Sequence, residues 1–141
     1  MSELFNLSQF APYPDSTGEE YMNENQVSHF KNVLLKWKHS LVENVGQMTR
    51  NFTGQPAVCA DPVDQSSHIT EINNEVIKQT RQTELIHKID ATLQRIQDED
   101  YGYCDSCGTE IGLRRLEARP TANLCIDCKS ALEVKAKAFA H

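Results

Sequence analysis

Four cysteines spaced Cys104-x2-Cys107-x17-Cys125-x2-Cys128 are the residues of this chain best placed to do chemistry. Each pair brackets a two-residue turn, Asp105-Ser106 and Ile126-Asp127, which aims two sulfurs at one point. The spacer lets the second pair close a tetrahedron with the first, within the pattern expected of zinc sites. Zn²⁺ accepts four thiolates at about 2.3 Å and has no redox chemistry of its own. Two redox-active CxxC pairs, or two disulfides, are the alternatives. Four protein ligands leave no open coordination position, so the metal expected here is one structural Zn²⁺.

The elements that must position this cluster come next. In 141 residues there is room for one domain, or a small domain with an extension. No apolar run approaches the roughly 18–20 residues of a membrane span, and Met1-Ser2-Glu3-Leu4-Phe5 does not start like a signal peptide. Five cysteines, four of them assigned to zinc, fit a reducing cytoplasm. The fifth, Cys59, reads as a small loop residue or a redox-sensitive thiol. A net charge of −6 argues against tight DNA binding, which relies on cationic side chains displacing counterions, and favours a protein partner.

Two long helices precede the cysteines. Asn23 can cap the first, Gln26 can reach back as in a capping box, and Met22 with Val27 occupy the staple positions. Val27, Phe30, Leu34, Trp37, Leu41, Val45, Met48 and Phe52 follow at spacings near 3.5, a coiled-coil seam weakened at Gly46. Thr53-Gly54-Gln55-Pro56 breaks it. The second segment runs from about Asp64 to Ile96, through Ile69, Ile72, Val76, Leu85, Ile86, Ile89 and Leu93. Gln79, Thr80 and Thr83 interrupt it, so packing should be looser there. The expected fold is mainly α: a long antiparallel coiled-coil hairpin on a small globular base that carries the four-cysteine finger and a C-terminal helix. The divisions are 1–22 for the N-terminal part of the base, 23–96 for the hairpin with its tip near 57–66, and 97–141 for the finger and a helix near Ile126–Phe139 that completes the base. Phe5, Leu7, Phe10, Tyr13 and Tyr21 offer apolar surface to that base.

At the tip, Asp61, Pro62 and Asp64 have two readings. They suit an N-cap, the first helical position and an acidic third residue. They also set two carboxylates at the end of a rod. Between the cysteine pairs, Arg114, Arg115 and Arg119 can offset a Zn(Cys)4 charge of −2 or receive an anion. No Ser-His-Asp order, Gly-rich phosphate loop or open metal site points to an enzyme, and His29, His39, His68, His87 and His141 are scattered.

Taken together, the hairpin, the acidic tip and the strings Gly18-Glu19-Glu20-Tyr21-Met22-Asn23-Glu24, Asp61-Pro62-Val63-Asp64, Glu99–Cys104, Arg114–Ala122 and Leu124–Lys129 resemble the DksA/TraR zinc-finger family. The likeness runs from about Pro12 onward. A Gre-like cleavage factor shares the mechanical plan but has no four-cysteine module. The resemblance implies a cytoplasmic, monomeric transcription factor that binds RNA polymerase through its secondary channel, without reading DNA sequence. With guanosine tetraphosphate (ppGpp) it would tune initiation in the stringent response, inhibiting ribosomal RNA promoters and activating amino-acid promoters. It also implies that Asp61, Asp64 and position 66 act near the polymerase's catalytic centre. Position 66, usually Ala, is Ser66 here, and Gln65 replaces a usual basic residue, which puts the strength of the tip's effect in question. The resemblance assigns the ppGpp interface to Arg81, Leu85, Lys88, Arg119, Asp127 and Lys129.

Overall fold

A computed structural model describes residues 12–14, 18–53 and 62–139, the side chains of Phe52, Thr53 and Pro62 excepted. Its four helices are α1 (Glu24–Thr53), α2 (Pro62–Gln97), α3 (Leu113–Ala118) and α4 (Ile126–Phe139). Among the described residues the only β pairing is an isolated antiparallel bridge, Tyr103 to Glu110. The segments 1–11 and 54–61, with Phe5, Leu7, Phe10, Cys59 and Asp61, lie outside the described residues.

α1 starts where the sequence places it. Asn23 Oδ1 accepts from the Gln26 amide at 2.9 Å, satisfying one free donor of the first turn. Gln26 reaches back one residue further than a capping box requires: its Oε1 accepts from the Met22 amide at 2.8 Å. Met22 has φ 54, a left-handed conformation that sets the entry of the chain. Gln26 is only 1% exposed, a buried polar group whose Nε2 also donates to Glu19 at 3.3 Å. Glu19 accepts from Asn23 and Tyr13 as well, and these bonds, that from Asn23 first, hold its carboxyl below the usual range.

α1 and α2 pair antiparallel. Lys38 Nζ meets Asp90 Oδ1 at 2.6 Å, and Gln79 Nε2 donates to Thr49 Oγ1 at 3.1 Å. The step from Lys38 to Thr49 along α1 is thus matched by an equal step back from Asp90 to Gln79 along α2. With 36 residues, α2 is about 54 Å long. The hairpin core is Leu34, Trp37, Leu41 and Ile89, flanked by Leu85, Ile86, Leu93 and Ile96. Two seam expectations fail toward the tip: Ile69 is 58% exposed and Val76 49%. Val33, unassigned in the heptad reading, is buried.

The base has its own core, Phe30, Tyr101, Ile111, Leu116 and Ala122, with Met22, Ile96 and Leu113 packed against it. Phe30 comes from α1 and Tyr101 onward from the cysteine module, so the rod is rooted in the module. Tyr21 crosses the join: its hydroxyl donates to Gly102 O at 2.7 Å and accepts from the Gly112 amide at 2.9 Å. Gly102 has φ 94, a conformation that L side chains adopt only with strain, and a Cβ there, 2.6 Å from Met22 Cγ, would force the Met22 side chain to move. Tyr13 ties the N-terminal segment on, its amide donating to Glu117 Oε1 at 2.8 Å and its ring set edge-on to His29 at 5.5 Å. α4 contributes a cysteine from its first turn, buries no residue, and leaves Leu132, Val134 and Phe139 exposed.

Candidate metal centre and tip

The loop that holds the first two sulfurs is set by the end of α2. Glu99, at φ 63, takes the left-handed position of a Schellman turn: its amide donates to Ile96 O at 3.2 Å, and that of Asp100 to Arg95 O at 2.9 Å. This turn directs the chain into the knuckle Tyr101–Ile111. There the Cys104 amide donates to Thr109 O, the Gly108 amide to Cys104 O and the Ile111 amide to Gly102 O, all at 2.8–2.9 Å. Across the module, the Asp105 amide donates to Asn123 O at 2.9 Å, and Asn123 Nδ2 to Asp105 Oδ2 at 3.1 Å, joining the two cysteine loops. Tyr101, 2% exposed, donates its hydroxyl to Pro120 O at 2.8 Å. Burial pushes its phenol well above the ordinary range, so it remains a donor.

The donor atoms of Cys104, Cys107, Cys125 and Cys128 all lie within 4.8 Å of one another, Cys107 and Cys125 sulfurs being 3.6 Å apart. Cys104 and Cys125 are buried, Cys128 half-buried and Cys107 exposed. Two of the sulfurs, those of Cys104 and Cys107, are prepared for negative charge. Amides, that of Cys125 foremost, bring the Cys104 thiol down to about 6, and the Ser106 amide approaches its sulfur at 3.4 Å. Thr109 Oγ1 lies 3.0 Å from Cys107 Sγ and lowers that thiol. Crowding by the other three sulfurs, Cys125 first, pushes Cys128 up to about 12. Two sulfurs drawn toward the thiolate, with a third that holds its proton among them, belong to a donor set that a soft divalent cation completes by displacing protons. The residues fit one structural Zn²⁺.

Arg95, which sequence reasoning passed over, binds this module to the hairpin. Its Nη2 donates to Tyr103 O at 2.7 Å and to Asp100 O at 3.3 Å, and lies 3.1 Å from Asp105 Oδ1. The available signal was a lone cation in the last turn of α2, where a helix favours positive charge. Arg115 Nε donates to Leu124 O at 3.0 Å, so it serves the second cysteine loop.

At the tip, Pro62 is the first helical residue and Asp64 lies in the first turn of α2, exposed, as the capping reading requires. Ser66 is exposed too, and its carbonyl accepts from Thr70 Oγ1 at 3.0 Å. Of the residues assigned to a ppGpp interface, Arg81 and Lys88 are exposed on α2, and Leu85 packs against the hairpin core. Arg119 caps α3, Asp127 is exposed in the first turn of α4, and Lys129 lies 4.0 Å from Glu133. No hydrogen bond or ion pair joins the α2 set to the module set among the described residues. None of the six lines the shallow groove of about 880 Å³ between Glu24, Lys31, Leu35 and Asp90.

A family model for the DnaK suppressor protein DksA, N-terminal domain, matches residues 26–96, and one for the prokaryotic dksA/traR C4-type zinc finger matches residues 99–133. The chain belongs to the DksA family. It is 48% identical over 129 residues to the RNA polymerase-binding transcription factor DksA of Salmonella typhimurium, covering 92% of this chain and 85% of that one. The Escherichia coli K12 protein of the same name is 46% identical over the same coverage. Among solved structures, transcription factor DksA2 from Pseudomonas aeruginosa aligns with a TM-score of 0.75 at 32% identity, covering 93% of this chain and 95% of that one. The DksA zinc-finger model spans all four cysteines, in agreement with the sulfur geometry.

Proposed function

We propose that this protein binds RNA polymerase directly and regulates transcription initiation, with no catalysis of its own. The observation that carries the reading is that relatives named RNA polymerase-binding transcription factors match both the rod and its zinc base. The rod, inserted through the secondary channel, brings Asp61, Asp64 and Ser66 toward the catalytic centre. An exposed Asp64 at the start of α2 supports this, since a carboxylate there meets whatever the tip meets. That no hydrogen bond or ion pair among the described residues joins Arg81, Leu85 and Lys88 on α2 to Arg119, Asp127 and Lys129 fits a ppGpp interface that a polymerase wall closes. The chain's net charge of −6 supports action without sequence-specific DNA binding. Such a factor works as a monomer in the cytoplasm, beside the polymerase.

The test is transcription in vitro from a ribosomal RNA promoter, with and without ppGpp, beside direct polymerase binding. Inhibition that deepens with ppGpp is expected. Binding without inhibition would reject the regulatory reading, and no binding at all would reject the whole of it.

A further inference from the structure

We propose that the hairpin is jointed: a hinge near Gly46 and Gln82 divides it into a base half rigidly rooted in the zinc module and a tip half that opens independently. Burial falls away as this level is approached from the base. On α1 the buried residues are Gln26, Phe30, Val33, Leu34, Trp37 and Leu41, and beyond Leu41 no described side chain is buried. Among the described side chains of α2 only Ile89 and Thr92 are buried, and from Val63 to Lys88 none is.

Polar groups occupy the seam where the burial ends. Gln79 donates to Thr49, and Gln82 Oε1 is buried with no hydrogen-bond partner. An unpaired buried acceptor costs free energy in the closed state that opening to water recovers. The pairing register sets Gln82 level with Gly46. That glycine answers no packing need: a Cβ there would meet only Arg50 Nη1, at 3.5 Å. Its poor helix propensity is therefore uncompensated. Threonine hydroxyls add to the weakness. Thr49 donates to Val45 O at 3.0 Å, and Thr80 and Thr83 donate to Val76 O and Gln79 O at 2.8 Å. Such i−4 bonds slightly destabilise and bend helices. The unpaired Gln82 acceptor and the uncompensated Gly46 thus converge on one level of the rod, whereas the threonine bonds also occur elsewhere on α2, from Thr70 to Ser66 O and from Thr92 to Lys88 O.

The hinge is a property of the free protein and does not rest on the polymerase reading. It has a consequence for that reading, since Arg81 lies beside the joint while Leu85 and Lys88 lie in the base half.

Native-state hydrogen exchange on the zinc-loaded full chain tests it. Amides of 47–53 and 63–81 should open together, at least tenfold more often than those of 30–41 and 87–96, with a step between. Gly46→Ala with Gln82→Leu replaces both weak elements with better ones and should fold at least as well as the native chain. It should raise protection of the tip half about tenfold and leave the base half unchanged. A smooth decay of protection toward the tip, which is simple fraying, overturns the proposal. Equal gains in both halves overturn it too, because they mark a single cooperative rod.

Discussion

Lys129 is a cation in the first turn of α4, where the helix dipole disfavours positive charge. Its neighbour Glu133 stands 4.0 Å away and is 61% exposed, a pair that contributes little. Truncating it should therefore leave folding intact, with a melting temperature within about 2 °C of the native chain. If the carried-over ppGpp interface holds, Lys129→Ala should keep basal inhibition and lose most of the ppGpp response, since a charge-assisted contact is worth about 1.5–3 kcal/mol. Titration of ppGpp on one promoter reads both quantities, and an unchanged midpoint and amplitude would remove Lys129 from the site. Asp64→Asn is the matching probe at the tip. Asparagine keeps a polar side chain in the first turn of α2 and removes only charge. Polymerase binding should stay near the native level while inhibition falls strongly. Loss of both together would mean that the carboxylate serves docking or the tip's own fold.

At the scale of elements, the joint between α2 and the knuckle depends on one guanidinium. Arg95 is 18% exposed and satisfies two backbone carbonyls and the Asp105 carboxylate. Arg95→Met keeps the stem and deletes the fork, leaving Tyr103 O and Asp100 O to water. A loss of about 1.5–3 kcal/mol is expected in urea unfolding, with faster amide exchange confined to 100–105. Uniform loosening, with no local effect there, would make Arg95 an ordinary surface residue. This contact also marks what the sequence could tell. The helix start at Asn23, the first helical position of Pro62 and the zinc spacing are local rules and were legible. Heptad periodicity marked the hairpin, but α2 before Gln79 holds apolar residues that periodicity alone would bury. Ile69 and Val76 stay exposed because only two helices are there to cover them. The exposure of the apolar residues of α4 was illegible for the same reason, since its leucine, valine and phenylalanine look like a core face until the space beside them is known. Arg95 and Glu117 act across loops, and no short-range pattern announces such contacts.

The whole molecule is two cores that share a helix pair, and zinc bears on only one of them. The base cluster joins Phe30 of α1 to Tyr101, Ile111, Leu116 and Ala122 of the cysteine module, so its order depends on the metal. The hairpin cluster of Leu34, Trp37, Leu41 and Ile89 lies wholly within α1 and α2. Trp37, the single tryptophan, is 9% exposed and reports on this second core alone. Chelation should melt the module while its emission stays blue-shifted. The helical signal should fall by no more than about a quarter, because α3 and α4 hold 6 and 14 residues against 30 and 36 in the hairpin. Urea should redden Trp37 in a later, separate transition. Acidification should act like weak chelation: protons compete with zinc for the four sulfurs, so affinity falls as pH falls. A tryptophan shift that tracks zinc loss at every chelator concentration would mean that the two cores are one. The rod would then have no stability apart from its metal.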